Sequence, residues 1–141
     1  MNQIPDQYLD LFERPVSVSL ATMLSDGTPQ VQPVWCSFNG THLLVNTEKG
    51  RQKYRNLSRR RRATILAVDP ANDSRWVEIR GEVVEETEKG ADEHIDALAR
   101  RYLGVDKYPW NQPGDVRVIF RIAPRRVVTL QSSMPDLGAP T

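Results

Sequence analysis

A chain of 141 residues with 39% hydrophobic and 26% charged residues has the make-up of one ordinary globular domain, and its net charge of +1 excludes a strong overall field for polyanions. No apolar run approaches the roughly 20 residues that span a bilayer. The polar, acidic start Met1–Asp10 does not read as a signal peptide, so the cytoplasm is the expected compartment.

In chain order, Pro5–Glu13 predicts a short helix, with Tyr8, Leu9 and Phe12 at helical spacing. From Val16 the period becomes two: Val16, Val18, Leu20 and Thr22 share one face of a first strand. Ser25–Pro29 reads as a turn, and Gln30–Phe38 as a second strand whose Pro33 marks an edge or a bulge. Asn39-Gly40 is a hairpin signal that leads into a third strand, Thr41–Thr47, making an antiparallel meander. A short helix follows over about Arg51–Arg60. Ala63–Val68 is a β-branched fourth strand, Pro70–Asp73 a turn, and Arg75–Glu86 an alternating fifth strand.

Glu88–Leu103 predicts an amphipathic helix with Ala91, Ile95, Leu98 and Tyr102 in one stripe and Gly104 as its C-cap. A Pro-, Trp- and Gly-containing loop, Val105–Asp115, precedes a last strand, Val116–Gln131, interrupted by Pro124. The whole of 1–141 reads as one domain, with 132–141 as a loose tail. Cys36, the only cysteine, lies in an apolar stretch and reads as a small buried hydrophobe. With His42 and His94 it makes no metal spacing, so no metal is expected.

Chemistry concentrates in Thr47–Leu57, where a strand ends, Gly50 permits a tight turn and a basic helix begins. Backbone N–H groups and the dipole favour an anion at a helix N-terminus. Arg51 can fork onto two phosphate oxygens, Lys53 adds a mobile point charge, and Asn56 shares the helical face of Lys53. This is a phosphate clamp in form. A solvated basic helix face has the same spacing, and the residues alone leave both readings open. Arg59–Arg62 reads as a helix end whose arginines pair with acids or reach a bound cofactor's tail; without interleaved aromatics it does not predict nucleic-acid binding.

The motif Gly50-Arg51-x-Lys53-x-x-Asn56-Leu57, then the strand Ala63–Val68, then Val77-Glu78-Ile79-Arg80-Gly81-Glu82-Val83, resembles the pyridoxamine 5′-phosphate oxidase-like split-barrel superfamily. It is most similar to the branch of small deazaflavin-dependent reductases that use coenzyme F-420. Ala21-Thr22, Asp26-Gly27, Pro29-Gln30, Pro33-Val34-Trp35, the helix around His94–Tyr102 and Tyr108-Pro109-Trp110 fit the same pattern. The resemblance covers roughly Val16–Leu130.

It implies a mainly β fold: a six-stranded antiparallel split β-barrel of the FMN-binding type with flanking helices. It also implies a homodimer, with each cofactor in a groove between two barrels. Arg51 and Lys53 match cofactor-phosphate contacts, with Asn56 a polar residue beside them. Asn46, Thr47 and Gln52 match positions lining the phosphate and ribityl chain. Gln30, Pro33, Val34 and Trp35 fall on the strand along which the tricyclic ring lies. Trp76 and Trp110 are candidates to meet the ring or its tail; ordinary core or interface packing is the alternative for both.

The expected activity is hydride transfer from coenzyme F-420 to a small organic substrate. The alternatives are an FMN-dependent oxidoreductase of the same fold and a non-catalytic flavin carrier. The absence of a Ser/His/Asp or Cys/His constellation agrees with chemistry carried by a cofactor, and no catalytic side chain is named. The chain ends in Val127–Gln131 and a polar tail where pyridoxamine phosphate oxidases continue into a basic substrate-phosphate segment, so that particular activity is not expected.

Overall fold

The computed structural model describes residues 2–134. Seven strands make one antiparallel sheet: β1 (Val18–Met23), β2 (Pro29–Val34), β3 (Cys36–Phe38), β4 (Leu43–Glu48), β5 (Arg62–Asp69), β6 (Asn72–Thr87) and β7 (Arg117–Thr129). Their spatial order is β2-β1-β5-β6-β7-β4-β3. Three helices flank it, α1 (Gln52–Arg59), α2 (Ala91–Leu103) and α3 (Leu130–Ser133), and a 3-10 helix, Asp6–Phe12, precedes β1.

The expected count of six strands is corrected by one, and the reason lies at Trp35. Gln30–Phe38 does not form one strand. β2 pairs with β1 at one edge of the sheet, whereas β3 pairs with β4 at the other. The first three strands are therefore no meander. Only Trp35 separates β2 from β3, and two residue steps reach about 7 Å. The two sheet edges must accordingly lie side by side at this point, which curls the sheet into an open barrel. Pro33 sits on an edge strand, where its missing N–H costs no ladder bond.

Alternation decides what faces inward. β1 and β4 alternate buried and half-buried residues along their lengths, directing Val18, Leu20, Leu43 and Val45 to the interior. Ile65, Val77, Ile79, Val118, Phe120 and Ile122 complete the core, which Leu11 and Phe12 of the 3-10 helix and Leu57 of α1 close. Each such side chain contributes roughly 1.5–3 kcal/mol by leaving water. Cys36 is fully buried, and burial pushes its thiol up to about 12, so it acts as the small hydrophobe expected.

The hairpin at Asn39-Gly40 forms, with the Asn39 Oδ1 accepting from the N–H groups of Thr41 and His42. β7 runs through Pro124 without a break. Pro124 pairs with Gly81 where the β6–β7 register shifts, so the irregularity absorbs the missing donor. α2 starts three residues later than its periodicity suggests. β6 continues to Thr87, and Gly90, in the left-handed region, sets the N-cap. Gly104 caps its C-terminus as expected. Residues 132–134 are described, with Ser132 and Ser133 in α3; the rest of the expected loose tail lies outside the described residues. No helix among the described residues is long and apolar enough to cross a membrane.

Candidate cofactor site

β4 ends at Glu48, and Arg51 N–H donates to the Glu48 carbonyl at 3.0 Å, turning the chain through Gly50 into α1 with Arg51 as its N-cap. The helix is fastened from beneath by Asn56, which is fully buried. Its Nδ2 donates to Thr22 Oγ1 and to Gln30 Oε1, both at 3.0 Å. Its Oδ1 accepts from Gln52 Nε2 at 2.8 Å and from Arg60 Nη2 at 3.3 Å. These bonds fix α1 against β1 and β2, so the first turn of the helix holds Arg51 and Lys53 in a defined place.

That place is the wall of a cavity of about 310 Å³. The first helical turn supplies Arg51 and Lys53, β4 supplies Asn46 and Thr47, and β7 supplies Arg117. Pro33, Val34 and Trp35 line it at the β2 edge, beside Ser17; Ile95 and Leu98 of α2 and Tyr108 and Trp110 of the following loop complete it. Trp35 stacks on Tyr102 with centroids 5.1 Å apart and stands 6.0 Å from Tyr108 and 6.5 Å from Trp110. Arg117 joins the aromatic part to the cationic part, its guanidinium 4.6 Å from the centre of the Tyr108 ring.

The cations are unbalanced. Lys53 and Arg117 are both buried, yet among the described residues neither makes an ion pair. Arg51 lies 3.9 Å from Glu48, at the limit of such a contact. Burial holds the Lys53 amine below the ordinary lysine value, and the positive charges of Arg51 and Arg117 lower it further against the opposing pull of Glu48. A buried cation without a counter-ion is costly, and an anion in the cavity removes that cost.

Behind the cavity wall, Asn46 Oδ1 accepts from Arg117 Nη1 at 3.3 Å, and Asn46 Nδ2 donates to the Ala91 carbonyl at 2.8 Å. The same Nδ2 lies 3.1 Å from His94 Nδ1, and His94 Nε2 lies 2.9 Å from Ser37 Oγ. Burial, with the nearby charges of Arg101 and Arg121, pushes the His94 imidazole down to about 4.

Of the residues the sequence singles out, Pro33, Val34, Trp35, Asn46, Thr47, Arg51, Lys53 and Trp110 come together around this cavity. Gln30, Gln52 and Asn56 do not line it; their amide groups bond to one another in the network that anchors α1. Trp76 is elsewhere. It lies on β6 opposite Val68 of β5, on the sheet face opposite to that of buried Val77. In the arginine run, Arg60 donates to the Met23 carbonyl at 2.7 Å and Arg61 pairs with Glu86 at 3.1 Å. Glu78 and Arg80 pair with each other at 2.6 Å.

The sequence reading missed Ser17, Ile95, Leu98, Tyr108 and Arg117 as cavity residues. Arg117 had a legible signal. It opens the strand Arg117-Val118-Ile119-Phe120, whose residues are all buried, and a charge in such a run needs a reason.

No protein of curated function matches the chain. A solved F-420 reductase is 33% identical over 89% of this chain and 98% of its own, with a TM-score of 0.78. A conserved hypothetical protein from Mycobacterium tuberculosis is 24% identical over 99% of this chain and 91% of its own, with a TM-score of 0.69. A heme storage protein from Vibrio cholerae is 15% identical over 90% of this chain and 94% of its own, with a TM-score of 0.62. The last two likenesses show the fold alone, and this fold serves more than one ligand. Residues 4–131 match the family model described as pyridoxamine 5′-phosphate oxidase. With that match and the reductase likeness together, the chain belongs to the pyridoxamine 5′-phosphate oxidase-like superfamily and to its F-420 reductase branch.

Proposed function

We propose that this protein is an oxidoreductase that binds a phosphate-bearing deazaflavin, coenzyme F-420, and transfers a hydride to a small organic substrate, with FMN as the alternative cofactor for the same clamp. One observation carries the reading: two buried cations without carboxylate partners among the described residues, Lys53 and Arg117, converge with Arg51 on one cavity. The donor set fits a phosphate. Arg51 and Arg117 offer planar forks, Lys53 a point charge, and the first turn of α1 its free N–H groups. The cavity of about 310 Å³ lies at the small end of the range for ligand pockets and has room for a phosphate and its chain.

When bound, such a cofactor supplies the hydride chemistry itself. The chain's residues would bind and orient it: Arg51, Lys53 and Arg117 would hold the phosphate, and Trp35 and Trp110, which line the same cavity, would pack against the ring. Trp110 is 57% exposed, which leaves its surface available to a ligand or a second subunit. The choice of deazaflavin over FMN is supported by the F-420 reductase likeness.

A homodimer suits the same site. The outward face of β2, β1, β5 and β6 carries Val31, Ala21, Leu66, Val68 and Trp76 together with Ser19, Thr64 and the Glu78–Arg80 pair, a mixed surface that reaches Pro33 at the cavity. A second copy covering this face brings Trp76 to the cofactor of its partner. Light scattering then gives twice the chain mass, and Val31→Glu with Trp76→Arg gives a monomer.

The deciding experiment is absorbance and mass spectrometry of the purified protein, followed by titration with both cofactors. Tight binding of F-420 is expected, and replacing Arg51 and Lys53 by Ala costs roughly 1.5–3 kcal/mol for each lost charge-assisted contact. Tight FMN binding without F-420 binding overturns the deazaflavin assignment. Unchanged affinity in the double variant puts the phosphate elsewhere. Retained cofactor with no substrate-dependent oxidation in a broad screen identifies a carrier.

A further inference from the structure

Ser37, His94 and Asn46 are strung together like a nucleophile, a base and an orienting amide, but the polarity is reversed. The direction of the Asn46 amide is set from both sides. Its Nδ2 faces the Ala91 carbonyl oxygen, which only accepts, and its Oδ1 faces the Arg117 guanidinium, which only donates. His94 Nδ1 must therefore accept from Asn46 Nδ2, which leaves the ring proton on Nε2, donated to Ser37 Oγ. A base that activates a serine needs that nitrogen free. The triad is no hydrolytic centre.

The same polarity has another use. We propose that His94, in its neutral Nε2–H tautomer, is a positioning residue that sets the Asn46 amide and through it the Arg117 guanidinium at the anion-binding wall of the cavity. The inference rests on the phosphate reading of that wall.

Arg117 is held on three sides. Asn46 Oδ1 takes Nη1, Asn111 Oδ1 accepts from Nε at 3.2 Å, and the Tyr108 ring lies against the guanidinium. Tyr108 is itself pinned by its backbone N–H, which donates to Asp96 Oδ1 at 2.9 Å. Two of these supports, Asn46 and Asn111, are amides that can rotate to exchange oxygen and nitrogen, and of the two Asn46 is the one bonded to the His94 ring. With the Nδ1 acceptor of His94 in place, rotation would set Asn46 Oδ1 against the lone pair of Nδ1 and against the Ala91 carbonyl, and would turn Nδ2 onto Arg117. Without that acceptor, one of the three contacts opposing rotation disappears. Arg101 of α2 and Arg121 of β7, the latter paired with Glu85 of β6 at 3.1 Å, are the charged groups that oppose a cationic ring here. Burial first, and these two charges after it, keep the imidazole neutral, as the relay needs.

The test measures orthophosphate binding by 31P NMR titration in the full chain, with variants chosen for which nitrogen they imitate. His94→Asn places an acceptor near the position of Nδ1; His94→Gln reaches only toward Ser37; His94→Leu offers neither. His94→Asn is expected to bind orthophosphate within about twofold of the parent, and the Gln and Leu variants about tenfold more weakly, the scale of one hydrogen bond to a charged group. Combined with Arg117→Ala, His94→Leu is expected to add no further loss, because both changes remove the same contact. A purely structural histidine gives additive losses, with Asn no better than Leu, and overturns the proposal.

Nitrogen-15 shifts of the His94 ring in the unaltered protein give a readout that no variant's folding can confuse. The proton belongs on Nε2 at pH 7, and a proton on Nδ1 overturns the relay. Lys53→Ala and Arg117→Ala separate the two levels of the argument. If neither weakens orthophosphate binding, the phosphate reading falls and the relay with it. If both do while the His94 series is additive, only the relay falls.

Discussion

His94 makes acid stability the most direct physical test of the site's architecture. Its ordinary value of 6.5 is pushed to about 4 in the folded chain, mainly by burial, with Arg101 and Arg121 adding repulsion. Ser37 and Asn46 face its two nitrogens, and Arg121 is itself paired with Glu85. Between pH 6.5 and 4 the unfolded chain carries a proton on this ring that the folded chain refuses, so stability falls as pH falls. The contribution is complete above pH 6.5. About 2 kcal/mol of it is lost by pH 5 and about 3 kcal/mol by pH 4. Carboxylates with lowered values, such as Asp10 beside Arg75 and Asp69 beside Ala71 N–H and Arg75, contribute their losses chiefly below this window. Urea unfolding of the parent and of His94→Asn at half-unit intervals from pH 7.5 to 4 measures the difference. The two stability curves should converge as pH falls, with the parent steeper by the amounts given. Parallel curves through the window would refute the reasoning, since they would mean the imidazole titrates normally in the fold.

Replacing Lys53 by Met removes a buried cation that faces two others. The variant should melt about 0.5–2 kcal/mol more stably in anion-free buffer while losing the gain that phosphate confers on the parent, a crossing of signs visible in thermal scans. Asn56→Ala strips partners from Thr22, Gln30 and Gln52 around a fully buried site, and should cost about 2–4 kcal/mol in urea unfolding together with weaker anion binding. At Gly81 an added Cβ would meet Ile122 Cγ2 at 2.4 Å and the Ala123 carbonyl at 3.0 Å. Gly81→Ala should therefore lose about 1–3 kcal/mol by circular dichroism melting, because the β6–β7 register cannot open to admit it.

Several readings survived contact with the structure because they rest on local physics. The β1 alternation, the Asn39-Gly40 hairpin, the α2 stripe and its Gly104 cap each concern residues whose neighbours in sequence decide their geometry. The cationic turn was legible too: a glycine turn feeding Arg51 and Lys53 into the start of a helix is a local arrangement. What failed was long-range. Trp35 looked like the middle of a strand because its flanks are extended; that they belong to opposite sheet edges depends on partners many residues away. Asn56 and Gln52 share the basic face by spacing, but that spacing cannot say whether the face meets a ligand or β1. Arg117 escaped notice because its place beside Arg51 and Lys53 comes from the β4–β7 pairing, which sets Glu48 opposite Arg117.

By itself, then, the sequence determined the type of most elements and the presence of a concentrated cationic turn, since hydrophobic period, turn residues and helix-end electrostatics act over a few residues. Only the tertiary structure decided that the sheet curls on itself at Trp35, and that a third cation joins the first two. It alone made Lys53 and Arg117 buried and without carboxylate partners among the described residues. The reason is physical. Burial and charge balance are properties of everything packed around a side chain, and for this site those neighbours arrive from Ser17 before β1, from β2, β4, β7 and α2, and from the loop after α2, segments that meet only when the barrel forms.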